Sequence, residues 1–196
     1  INLMKENIKD WLKQHLNEER YRHVIGSEKA AVELAKRFSV DENKASIAAL
    51  LHDCAKCVSN NELYKIIDEK NIEVSEMEME CKKTLHAPVG AYFARIYFNI
   101  DDKEILDAIR YHTIGRVDMT MLDKIIVLAD KIETETRPEE FVSKVKNVLN
   151  STNNIDEAIL VCYDATIRSL LDRKMVINPV TIDVYNYLTI LLSKTK

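Results

Sequence analysis

Apolar positions recur at three- and four-residue intervals along almost the whole chain, and short polar stretches with capping chemistry separate them. Ile8, Trp11 and Leu12 share one face of segment 3–16. Val24, Ala31, Leu34, Ala35 and Phe38 form the stripe of 18–38. Ser39-x-x-Glu42 reads as a capping box before a helix at 45–52, and Ser59-x-x-Glu62 opens a helix carrying Leu63, Ile66 and Ile67. Ser75-x-x-Glu78 opens a short acidic turn or helix. Pro88, at a first-turn position, starts 89–98. Asp101-x-x-Glu104 caps 105–112, which Thr113-Ile114-Gly115 stops. The strongly apolar 119–132 follows, then a helix opened by Pro138 and running to 149. A polar turn at 150–154 precedes helices at 155–175 and 179–193. No strand alternation, repeat, low-complexity segment or linker interrupts this pattern. The expectation is one all-α domain over 1–196, built from about ten helices.

Composition supports that picture and narrows the class. Of 196 residues 46% are hydrophobic, and only three Gly and three Pro punctuate them, which favours long helices over a sheet with many turns. A net charge of −4 leaves no basic surface for nucleic acid, so an anionic small molecule would need a local group of Lys and Arg. No apolar run reaches the length of a membrane span and no leader pattern is visible, so a cytoplasmic protein without membrane attachment is expected. Cys54 and Cys57 make a C-x-x-C, but no second pair and no βαβ pattern accompanies it. Packed, reduced thiols are expected there and at Cys81 and Cys162.

The candidate chemistry lies in the histidines. His52-Asp53 closes the apolar run Ala48-Ala49-Leu50-Leu51, and both side chains can ligate a divalent metal. A single such pair also fits a solvated helix end. Three further histidines are placed at or near helix ends and followed closely by Gly or Pro: His23 in His23-Val24-Ile25-Gly26, His86 in His86-Ala87-Pro88, and His112 in His112-Thr113-Ile114-Gly115. Asp130 ends Ile125-Ile126-Val127-Leu128-Ala129, where a carboxylate buried alone is costly and one bound to a cation is not. Four His and two Asp exceed one tetrahedral site and suit two metals sharing a bridging carboxylate, with Asp53 spanning both. Any one of these histidines alone fits better as a satisfied core or cap residue; it is the set that points to metal. His15, on an outer helix without supporting residues, is left out of the set.

In this order the residues resemble the signature of the HD-domain metal-dependent phosphohydrolases, and more closely the YqeK subgroup of symmetrical bis(5′-nucleosyl)-tetraphosphatases. The resemblance runs through Arg20-Tyr21-Arg22-His23-Val24-Ile25-Gly26, Leu50-Leu51-His52-Asp53-Cys54-Ala55-Lys56 and Leu85-His86-Ala87-Pro88-Val89-Gly90-Ala91. It continues in His112-Thr113-Ile114-Gly115-Arg116, Leu128-Ala129-Asp130-Lys131-Ile132-Glu133, Tyr163-Asp164-Ala165-Thr166-Ile167 and Asn178-Pro179-Val180-Thr181. It implies a helical fold around a di-iron centre, with His23, His52, Asp53 and Asp130 on one iron and Asp53, His86 and His112 on the other. Donor chemistry alone leaves Mn, Fe, Co, Ni and Zn open. Two departures stand out. Thr134 replaces the proline usual after Ile-Glu, with Arg137 one residue later than in the family, and Ser27 replaces an apolar residue.

The substrate implied is diadenosine tetraphosphate or a relative, split at the central phosphoanhydride into two ADP by a hydroxide that two metals generate near neutral pH. Asp53 and Lys56 are the expected catalytic pair. Arg20, Lys56, Thr113, Arg116 and Arg137 are the phosphate and nucleotide candidates: Lys56 one turn past His52, Arg20 one turn before His23, Thr113 and Arg116 just after His112. The alternatives keep the metal and change the substrate, to a mononucleotide, a guanosine polyphosphate or a cyclic nucleotide, or drop catalysis for a nucleotide-binding helical module. An apolar stripe on the first helix or on 179–192 could pair two copies into a homodimer.

Overall fold

The computed structural model describes residues 1–195, and among these the regular structure is helical throughout. Eleven α-helices follow in order: α1 Asn2–His15, α2 Glu18–Arg37, α3 Glu42–Leu51, α4 Asn60–Glu69, α5 Glu76–Glu80, α6 His86–Phe98, α7 Lys103–Arg110, α8 Met121–Ile132, α9 Glu139–Thr152, α10 Ile155–Asp172 and α11 Pro179–Ser193. One 3₁₀ turn, Lys82–Thr84, precedes α6.

The centre of the fold is α3, in which every residue from Ala45 to Leu51 is buried. A helix apolar on all sides must be enclosed on all sides. Here α2 and α8 pack along it, α7 and α6 close the next sides, and α1 crosses its outer end. α8 is almost as enclosed, with nine buried residues from Leu122 to Ile132. α9, α10 and α11 form a second layer that reaches the centre through α8. The Arg37 guanidinium at the end of α2 ties this layer down by donating to Asn150 Oδ1, Asn153 Oδ1 and the Leu149 carbonyl at the end of α9.

Most helix starts are set by local capping. Ser59 Oγ accepts from the Glu62 amide, and Ser75 with Glu78 makes a reciprocal box over a helix of five residues. Three expectations are corrected. Ser39 does not cap α3: it sits at φ 56, past the end of α2, and Asp41 accepts the Asn43 and Lys44 amides instead. Asp102, not Asp101, caps α7 through the Glu104 amide. α3 ends at Leu51, so Lys56 reaches its place through irregular turns and not along a continued helix. α8 carries a box the spacing reading missed, Thr120 with Asp123. The segment expected as helix to 175 ends at Asp172, where Lys174 turns left-handed at φ 54.

Candidate metal centre

Six side chains from five helices and their ends converge beside α3. His23 is the sixth residue of α2, inside the helix and not near its end as the Gly26 spacing implied. His52 is the C-cap of α3, with Asp53 in the turn that follows. His86 opens α6, His112 lies in the turn after α7, and Asp130 lies in the last turn of α8. All six are buried. Their donor atoms form two groups, His23/His52/Asp53/Asp130 and Asp53/His86/His112.

Asp53 belongs to both groups, one oxygen to each. Its Oδ2 lies 3.5 Å from His23 Nε2 and 3.6 Å from His52 Nε2. Its Oδ1 lies 3.2 Å from His86 Nε2 and 3.3 Å from His112 Nε2. On the far side of the first group Asp130 Oδ1 stands 2.9 Å from His23 Nε2 and 3.2 Å from His52 Nε2.

The tautomers show what this arrangement lacks. His52 Nδ1 faces the Ala49 carbonyl at 2.5 Å, and His112 Nδ1 faces the Ile109 carbonyl at 2.8 Å. His23 Nδ1 faces Glu133 Oε1 at 3.2 Å. Each acceptor requires the proton on Nδ1, which leaves a lone pair on each Nε2. Those of His23 and His52 meet each other at 3.3 Å and face the carboxylates, and that of His112 faces His86 Nε2 at 3.2 Å. Acceptors facing acceptors in a buried site repel unless protons or cations lie between them. A His/carboxylate donor set of this kind fits divalent cations, and outer partners that hold Nδ1 are the usual means of orienting a ligating histidine.

The electrostatics lead to the same conclusion. Burial would raise the carboxyls of Asp53 and Asp130, yet the facing imidazoles hold both well below the usual carboxylate range. Burial would lower His52, but Asp53 and Asp130 push it up to about 9, whereas burial prevails at His86 and brings it to about 4. Two fixed negative charges therefore sit in a dry pocket, and only part of that charge is met by protons.

The cluster opens into a cavity of about 790 Å³, within the usual range for small-molecule sites. Eight cationic side chains line it, in a chain of net negative charge: Arg20, Lys56, Lys82, Lys83, Lys131, Arg137, Arg173 and Lys174. Arg20 Nη1 is 3.3 Å from Asp53 Oδ2. Arg137 reaches the cluster despite its displaced position, donating to the Asp130 carbonyl at 2.7 Å and to Asp130 Oδ1 at 3.3 Å. The Lys56 ammonium is pulled down by burial, which the Asp53 charge partly offsets. Thr113 lines the cavity. Arg116, expected among the phosphate contacts, does not: Asp123 Oδ2 holds it at 2.7 Å and Asp107 Oδ2 at 3.4 Å, over the Tyr111 ring. These two carboxylates, one on α7 and one on α8, neutralise it there. His15 stacks on Trp11 at 3.7 Å, apart from the cluster, and all four cysteines are free.

Glu133 went unassigned in the sequence reading. It is buried, and besides His23 it accepts from the Glu135 amide, the Thr136 amide and the Thr136 hydroxyl. These partners hold its carboxyl below the ordinary glutamate value against the effect of burial. Gly26 is required beneath it, because a Cβ there would stand 2.5 Å from Glu133 Oε2. The available signal was its spacing, three residues after Asp130 and so nearly on the same helical face.

An all-helical fold that buries two His/Asp groups around one shared carboxylate, under a basic cavity, has the donors for divalent cations beside the charge to hold a phosphate chain. The chain belongs to the HD domain family, whose model matches residues 20–135. It is 40% identical over 177 residues to the symmetrical bis(5′-nucleosyl)-tetraphosphatase of Halalkalibacterium halodurans, covering 90% of this chain and 92% of that protein. The protein of the same name in Bacillus subtilis is 37% identical over 177 residues, covering 90% and 93%. A crystal structure of a "predicted HD superfamily hydrolase involved in NAD metabolism" from Clostridium acetobutylicum superposes with a TM-score of 0.87 at 34% identity. That match covers 94% of this chain and 96% of that one.

Proposed function

We propose that this chain is a symmetrical dinucleoside tetraphosphatase: it hydrolyses the central P–O–P bond of diadenosine tetraphosphate, adds one water across it and releases two ADP. The observation that carries this reading is Asp53, whose two oxygens face two separate donor groups at the floor of a cavity lined with cations. The names of the relatives supply the substrate.

His23, His52, Asp53 and Asp130 would hold one divalent cation, and Asp53, His86 and His112 a second. Iron is the metal we assign, with the whole activity in one domain over 1–196. Bound there, the pair supplies Lewis acidity toward a phosphoryl oxygen and lowers the pKa of water at the site. The chain's own residues do the rest. Glu133 and the Ala49 and Ile109 carbonyls keep the imidazoles in the ligating tautomer. Arg20, Lys56 and Arg137 offset the charge of the phosphate chain, and Lys56 is the group placed to follow charge developing on the transferred phosphoryl. The leaving group is itself a phosphate, so charge neutralisation matters more than a strong general acid.

The test is elemental analysis of anaerobically purified protein combined with a product assay. Two metal equivalents, iron among them, and ADP as the sole nucleotide product are expected. ATP plus AMP as products, or faster phosphate release from mononucleotides, would overturn the reading.

A further inference from the structure

The cavity extends beyond the metal cluster, and one part of its wall has no role in the reaction described so far. That part is the connection between α10 and α11, from which Arg173, Lys174, Met175, Val176 and Asn178 all line the cavity. Its make-up is unusual for a solvated turn. Met175 and Val176 are 39% and 54% exposed, apolar side chains presented at the cavity wall. Asn178 is only 5% exposed, and its Nδ2 donor has no hydrogen-bond partner. The orientation of this amide is settled by the backbone: Oδ1 caps α11 by accepting from the Val180 amide at 3.0 Å, so the opposite end of the amide is the donor. A buried, unpartnered amide donor is costly unless something supplies an acceptor.

The turn is also held in place. Met175 N donates to the Leu170 carbonyl behind the left-handed Lys174, and Thr181 Oγ1 donates to the Ile114 carbonyl, next to Thr113 on the cavity wall. An apolar surface, one buried amide donor and two cations beside them match a nucleoside attached to a phosphate chain. The ring system stacks on apolar side chains, a base or ribose acceptor takes the amide, and the cations offset the phosphates. A dinucleoside tetraphosphate brings two nucleosides, and the cationic set at the cluster (Arg20, Lys56, Arg137) accounts for phosphates only. We infer that the α10–α11 connection, anchored by Asn178 with Met175 and Val176, is a nucleoside subsite that makes the enzyme prefer phosphate chains capped by a nucleoside over bare polyphosphate. This rests on the tetraphosphatase reading.

The test separates binding from turnover. The metal-loaded protein is titrated with two probes: diadenosine tetraphosphate carrying a methylene bridge at its centre, which resists cleavage there, and inorganic tripolyphosphate, which has no nucleoside. Asn178→Asp and Asn178→Ser keep an acceptor for the α11 cap and remove the amide N–H donor, the shorter serine hydroxyl staying back at the cap. Met175→Ser with Val176→Ser leaves the cap untouched. In the Asn178→Ser and double-serine proteins, Kd for the two-nucleoside probe is expected to rise about tenfold and Kd for inorganic tripolyphosphate to stay within twofold. Asn178→Asp adds repulsion toward phosphate and raises both. Equal losses for both probes in the serine variants, or no loss for either, overturns the subsite. Steady-state hydrolysis reads the underlying function separately. A wild type that fails to yield two ADP while the variants still lose the two-nucleoside probe overturns the tetraphosphatase reading alone. A wild type that yields two ADP, with KM unchanged in the serine variants, overturns the subsite alone.

Discussion

At the scale of single residues, the site depends on one carboxylate acting toward two places. Asp53→Asn removes the anionic charge and offers an N–H where one lone pair stood, so one donor group loses its member and the other keeps only a neutral amide oxygen. Metal content is expected to fall from two equivalents to one or fewer, with kcat down by about a thousandfold, as elemental analysis and an ADP-release assay would show. Glu133 acts one step further out. Glu133→Gln keeps the size but weakens the charge-assisted hold on His23 Nδ1, and metal affinity is expected to fall about 10–100-fold, the usual cost of losing such an outer partner. Competition with a chromogenic chelator measures it. At this scale the sequence was most legible where residue type restricts the options. His23, His52, Asp53, His86, His112 and Asp130 could be read as a set, whereas Arg116 could not be assigned correctly, because its two acidic partners lie on neighbouring elements.

At the scale of elements, two tethers outside the site bear on it. The short α5 is joined to α7 by Arg110, whose guanidinium meets the buried Glu78 carboxylate at 2.7 Å. Burial alone would raise Glu78, but Arg110 and the Ser75 cap hold it below its ordinary value. A carboxyl with a depressed folded pKa contributes stability that is present above its unfolded value, near 4.3, and lost as pH falls through the folded value. Arg110→Ala is therefore expected to cost about 2 kcal/mol at pH 7 by urea unfolding, a difference that shrinks below about pH 4. The second tether is the loop after His112. Gly115 stands at φ +78, and a Cβ there would lie 1.9 Å from the Tyr163 hydroxyl. Gly115→Ala is expected to destabilise by about 2–3 kcal/mol, seen as a lower urea midpoint, and to loosen Thr113 at the cavity wall. Capping explains why the elements themselves could be read. Ser59, Ser75 and Asn178 act on amides two or three residues away, so local spacing suffices. It failed where adjacent acidic or hydroxyl residues competed, as at Ser39 against Asp41 and Asp101 against Asp102.

At the scale of the whole molecule, five helices and their ends converge on one charged cluster, so cation binding and folding are coupled. Without a cation, Asp53, Asp130 and the four imidazole Nε2 atoms face one another in a buried cluster whose charge protons meet only in part. With metal at a hundred times its Kd, linkage supplies about 2.7 kcal/mol per site, so exhaustive chelation of both sites is expected to lower Tm by about 10–20 °C. Differential scanning fluorimetry with metal add-back checks it. The sequence by itself determined the helical class, most helix starts and the inventory of donors, because each depends on contacts within a turn or two of chain. Only the tertiary structure decided that Asp53 gives one oxygen to each donor group, that Glu133 orients His23 from 110 residues away, and that Arg137 reaches the cluster while Arg116 does not. The reason is physical: a side chain's charge partners and burial are set by packing between helices distant in sequence, and no local pattern records which of two arginines will face a cavity.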